Sequence, residues 1–191
     1  MKLKRIFAAL LAGAALATLA LSLAACGKPA SSASSSTPKD YTKILHDARP
    51  EEDNDYYMIF SKGSDGKFTA QYGYSESYEA DQLSDEIENM LWPLLGLEDD
   101  MVDDFAASVS GMMVSVYGVA IVKPAEGKTQ AVVDAMDAYV QSQQQAMEHY
   151  LEDQYQIASA ARVATMPSGE VVLVCCENSD TVLANLKAAL A

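Results

Sequence analysis

The chain has 191 residues, half of them apolar, with 27 acidic against 13 basic side chains and a net charge of −14. That length suits one domain with a real core rather than two, and the negative balance argues against nucleic-acid or anionic-lipid binding. The cysteines, Cys26, Cys175 and Cys176, offer no disulfide framework.

Met1 to Arg5 carries Lys2, Lys4 and Arg5, and Ile6 to Ala25 has no charged residue, which is the layout of a signal peptide. A permanent transmembrane helix is the rival, since about 20 apolar residues can cross a bilayer. An Ala-rich run with Gly13 inside it, closed by small residues before a lone cysteine, favours cleavage. Leu23-Ala24-Ala25-Cys26 is similar to the lipobox of bacterial lipoproteins, which implies diacylglycerol on the Cys26 thiol and a cut just before it. Residues 1–25 are then a lipoprotein signal peptide and Cys26 the lipidation site, a durable tether once two or more acyl chains are attached. Loss of the three leader charges deepens the net charge from −14 to −17. Residues 26–40, Ser-rich with Pro29 and Pro38, read as a flexible linker. Residues 41–191 are left as a single domain.

Tyr41 to Ala48 suits a short helix ended by Pro50. Glu51 to Asp55 reads as a solvated acidic loop. It fits no EF-hand, because Met58 stands where such a loop needs Gly and Ser64 where it needs its bidentate Glu. Tyr56 to Phe60 and Phe68 to Tyr74 flank Gly63-Ser64-Asp65-Gly66, a hairpin with an Asp-Gly turn. Its Tyr72 and Tyr74 offer stacking faces to a sugar or peptide and are the candidate ligand or partner contacts, against the plainer reading of strand packing.

Leu83, Ile87, Met90, Leu91 and Leu94 recur at helical spacing, with Pro93 set to kink or end the helix. The acidic run Glu98 to Asp104 reads as a solvated helix start. Residues 106–114 and 116–123 read as an antiparallel pair, and Val116 to Val122 is apolar on both faces. A long helix follows, with Val132, Met136, Tyr139, Val140 and Met147 on one face and a glutamine cluster on the other. Pro167-Ser168-Gly169 joins two further strands, and the second, Val171 to Cys176, is unbroken apolar sequence that suits a central position. Cys175 and Cys176 should be buried there and point to opposite faces. A last helix carries Leu183, Leu186 and Leu190, capped by Asn178 or Ser179.

Leu94-Leu95-Gly96-Leu97, Met112-Met113, Val119 to Lys123 with Glu126-Gly127-Lys128, the Gln-rich helix to Tyr150, and Gly169-Glu170-Val171-Val172 carry a resemblance. Over about residues 83–190 the chain resembles a family of Gram-positive bacterial lipoproteins known as domain of unknown function 4358. The resemblance implies a fold and a location, and carries over neither an activity nor any site residue.

No Gly-x-Ser-x-Gly elbow, phosphate-binding loop or paired histidine occurs, His46 and His149 being far apart. Carboxylate pairs are too common in so acidic a chain to single one out. The expectation is therefore an α+β domain with a mainly antiparallel four-stranded sheet and helices packed on one face. It should serve as a membrane-anchored extracytoplasmic binding or assembly module, with no catalytic residues, cofactor or metal. Its partners would be the membrane, through lipid on Cys26, and a protein or cell-wall component, not nucleic acid. The alternative is a cell-surface hydrolase or cation-dependent enzyme using the Asp/Glu-rich loops.

Overall fold

The computed structural model describes residues 38–63, 65–74, 79 and 82–191. The leader, Cys26 and all but the end of the linker lie outside the described residues. Helix α1 (Tyr41–Ala48) starts where the Asp40 side chain accepts a hydrogen bond from the Lys43 backbone N–H at 3.0 Å, and buries Tyr41, Leu45 and Ala48 along one stripe. Pro50 then opens a second helix, α2 (Glu51–Tyr56), rather than a loop. Its first turn holds Glu51, Glu52 and Asp53, which complement the positive end of the helix dipole.

Strands β1 (Ile59–Lys62) and β2 (Phe68–Gln71) form the expected hairpin. Next come α3 (Gln82–Glu86), a π-helical turn (Ile87–Leu91) and α4 (Trp92–Leu95) in direct succession. The π turn shifts the hydrogen-bond register just before Pro93, which falls in the first turn of α4, where a missing N–H costs little. Gly96, left-handed at φ 67°, closes this stretch.

A 3-10 turn (Asp99–Met101) leads into β3 (Val102–Val109), so the acidic run ends in a strand and not a helix. β4 (Gly118–Pro124), α5 (Thr129–Met147), α6 (Glu152–Ser159), β5 (Arg162–Thr165), β6 (Val171–Cys175) and α7 (Ser179–Leu190) complete the order.

The four-stranded expectation is overturned. Among the described residues six strands form one antiparallel sheet in the order β2-β1-β3-β4-β6-β5. The tyrosine-bearing hairpin adds the two extra strands, because β1 pairs with β3 from Phe60↔Ala107 to Lys62↔Phe105.

Helices on one face are also overturned. Phe60, Phe105, Ala107, Ala120, Val122, Val171, Leu173 and Cys175 pack with Leu83, Leu91, Trp92, Val132, Met136 and Tyr139, from the helices between β2 and β6. Ile59, Ala106, Val119, Ile121, Val172, Val174 and Cys176 pack with Tyr41 and Leu45 of α1 and Val182, Leu186 and Leu190 of α7. A sheet whose central strands are apolar on both faces needs cover on both. The cysteines face opposite layers, as the alternation of a strand requires.

Candidate functional site

Residues 110–117 link β3 to β4 at the end of the sheet where α1 finishes and α2 begins. Both ends of this loop are clamped. The Ser110 N–H donates to the Tyr117 carbonyl at 2.9 Å, the Val116 N–H to Gln154 Oε1 at 2.8 Å, and the Tyr139 hydroxyl to the Tyr117 carbonyl at 3.1 Å. Ser115 Oγ and the Tyr57 hydroxyl share a hydrogen bond at 3.2 Å. Its tip is apolar and open to solvent: Met112, Met113 and Val114 are 47%, 88% and 53% exposed. Large apolar side chains gathered on a surface mark a contact site. Here they are carried by a fixed loop.

Two hollows flank the tip. The larger, about 630 Å³, lies between Met112, Met113 and Val114 on one side and Leu94, Met147 and Tyr150 on the other. The smaller, about 260 Å³, runs between Met112 and the pair Tyr56 and Tyr74. Met112 borders both. Tyr56, Tyr74 and Tyr150 are exposed, so the apolar surface extends across the loop in both directions.

Under the loop sits Arg49, 5% exposed. Nε donates to Asn54 Oδ1 at 2.6 Å, Nη1 to Ser108 Oγ at 2.6 Å and to the Tyr117 hydroxyl at 3.2 Å, and Nη2 to the Tyr57 carbonyl at 2.7 Å. Asn54, also buried, donates to the His46 carbonyl and accepts the Gly73 N–H through its own carbonyl. Among the described residues no carboxylate lies within ion-pair distance of Arg49, so its direct partners are neutral oxygens, with the Asp53 carboxyl farther off but within Coulombic reach. The pKa of nearby Asp53 is raised because burial outweighs the favourable neighbours Tyr117 and Arg49. Burial pushes the Cys176 thiol up to about 12, with Asp53 adding to the shift, and the Cys175 thiol likewise to about 12. Neither sulfur is poised as a nucleophile.

Of the two sequence-proposed contact tyrosines, Tyr74 belongs to this surface, with its ring 6.1 Å from Tyr56 in an edge-on arrangement. Tyr72 does not line either hollow. Its ring lies 4.3 Å from His46 beside α1, on a backbone at φ 66°. Arg49 carries no signal in the sequence, and Met112-Met113 marks the family resemblance there rather than a contact site. Gly111 and Ser115, which bracket the tip, are its turn signal.

The acidic segments are held apart. Residues 51–56 form α2 at the loop end, while Asp99 and Asp100 pair with Lys62 and Lys128 at the other end of the sheet. At that far end a polar hollow of about 360 Å³ is lined by Thr42, Ser61, Thr69 and Asp104, with Thr42 donating to Ser61 Oγ at 2.9 Å. Nearby, Glu170 accepts from Ser168, from Lys39 at 3.1 Å and from Tyr41 at 2.9 Å. Among the described residues no group of three or more His, Cys, Asp or Glu side chains converges as metal ligands would.

A family model described as Domain of unknown function (DUF4358) matches residues 74–177, starting and ending earlier than the stretch expected from the sequence. The match takes in α3 through β6 and the whole 110–117 loop, and leaves out α1, α2, β1, β2 and α7. No curated protein and no solved structure matches.

Proposed function

This chain belongs to the family of the domain of unknown function DUF4358, and we propose that it is a membrane-anchored extracytoplasmic lipoprotein whose domain is a binding module without catalytic action. The observation that carries the binding role is the clamped loop with an exposed apolar tip, flanked by two hollows and three exposed tyrosines. A loose surface loop would lose conformational entropy on contact, whereas a loop fixed at both ends presents its side chains already placed. The anchor rests on the lipobox-like stretch ending at Cys26. The chain enters the domain at Lys39, beside Glu170 and the Leu190 carbonyl, at the end of the sheet opposite the loop.

Both halves are testable in cells carrying the full chain. Cys26→Ser should abolish lipid labelling and membrane retention while the domain stays folded. Persistent labelling would refute the anchor. A photo-crosslinking residue at Met113 should trap a discrete adduct, and one at Lys128 should not. Equal yields from the two positions would refute the loop as the contact face.

A further inference from the structure

We infer that the occupant of the loop hollows is a cationic amphipathic segment of a partner protein. This deepens, and rests on, the reading of the 110–117 loop as the contact face.

The shape asks for an apolar stripe. The larger hollow is walled by Met112, Met113, Leu94, Met147 and Tyr150. Methionine side chains are unbranched and polarizable, so they mould to an apolar face without demanding one shape. An amphipathic helix laid into a hydrophobic groove is the common solution to such a surface.

The charge decides what lies beside the stripe. α2 ends at Tyr56, which lines the small hollow, and carries Glu51, Glu52 and Asp55 exposed. Beyond Tyr150 stand Glu148, Glu152 and Asp153, all exposed. Exposed His149 stands in that rim, 4.0 Å from Glu148, while the described lysines are placed elsewhere. Lys62, Lys67, Lys123 and Lys128 lie at the far end of β1, its turn, β4 and the start of α5. Lys39 enters there, Lys43 is in the first turn of α1 and Lys187 in the last turn of α7, near that same end. Of the described arginines, Arg49 is buried with its donors taken, and Arg162 donates to the Ala160 and Ala161 carbonyls and pairs with Asp180. The loop end is therefore apolar between two acidic rims.

That pattern selects among occupants. A second copy of this chain, docked by the same face, would bring acidic rim against acidic rim. An anionic membrane surface meets the same repulsion. A segment with an apolar stripe and flanking lysines or arginines satisfies both the hollows and the rims.

The test uses the full chain and two dye-labelled helical peptides that share one leucine and phenylalanine face and carry either lysines or glutamates on the other. Anisotropy should show the lysine peptide binding at least about tenfold tighter, with the gap closing as salt screens the rims. Met113→Ser with Val114→Ser should weaken the lysine peptide about tenfold while leaving the melting temperature unchanged. Equal or reversed affinities would overturn the cationic assignment while leaving the loop as a contact face. Lysine-peptide binding that survives the double substitution would overturn the seat in the hollows. Failure of both peptides would overturn the inference as well, whereas the proposed function is judged separately by the Met113 crosslink. Self-association lost on the same double substitution would mean that a second copy is the occupant.

Discussion

Tyr57 and Tyr117 lie face to face, their ring centroids 3.7 Å apart and their planes 6° from parallel, and Arg49 binds both residues at once. A planar guanidinium reaches Asn54, Ser108, Tyr117 and the Tyr57 carbonyl together, and a lysine ammonium at that position cannot. Arg49→Lys should cost about 2–4 kcal/mol, through buried acceptors left without donors. Urea denaturation measures it. Amides of residues 110–117 should also exchange faster in the variant.

Gly118 is a packing requirement. A Cβ there would sit 2.8 Å from the Tyr139 hydroxyl and 3.0 Å from its ring. Gly118→Ala should cost about 1–3 kcal/mol by overpacking. Tyr139→Phe removes the nearest atom, and the Tyr117 carbonyl keeps the Ser110 N–H. The double variant should therefore lose less than the sum of the single ones, and a strictly additive cycle would show that the clash is relieved elsewhere.

Cys175 and Cys176 are buried and free, with thiols pushed up to about 12 by burial. A thiol-reactive dye at neutral pH should leave both unmodified in the folded protein and label both in urea. Rapid native labelling would contradict their burial.

Glu170 titrates against two opposed influences. Burial alone would raise its pKa, but hydrogen bonds from Ser168, Lys39 and Tyr41 and from the backbone outweigh it and hold the carboxyl below its ordinary value. Its folded pKa is thus below the unfolded one, near 4.3. The stability it contributes is complete above that unfolded value and is lost as pH falls through the folded pKa. Glu170→Gln should cost about 1–3 kcal/mol at pH 7. The gap between variant and parent should narrow in melts taken below about pH 4.

Local chemistry made much of this fold readable. Turn residues marked both predicted hairpins, and helical periodicity marked α5 and α7. Val119 to Val122 and Val171 to Cys175 also imply two covered faces, because neither alternates with polar residues. Placing all the helices on one face disregards that signal. The β1–β3 pairing was not legible, since a three-residue register across forty residues of chain leaves no local pattern. Nor was α2, whose acidic composition mimics a loop and whose buried Asn54 answers to Arg49. At the site, Tyr74 could be found from its place after an aromatic strand. The Met112–Val114 tip was hidden because Gly111 and Met113, alternating with Ser110 and Met112, continue the period of β3 beyond the point where pairing stops at Val109↔Gly118.

The sheet is three hairpins set side by side, β1–β2, β3–β4 and β5–β6, each closed locally and joined along two seams. The β4–β6 seam runs from Gly118↔Cys175 to Val122↔Val171, while the β1–β3 seam spans only Phe60 to Lys62. Cooperative opening should therefore begin at the shorter seam, releasing the first hairpin as a unit while the four remaining strands stay paired. In native-state hydrogen exchange the amides of β1 and β2 should share one low opening free energy, and those of β4 and β6 should open only with global unfolding. The hairpin that detaches first lies outside the family match, while β3 to β6, which stay paired, lie within it.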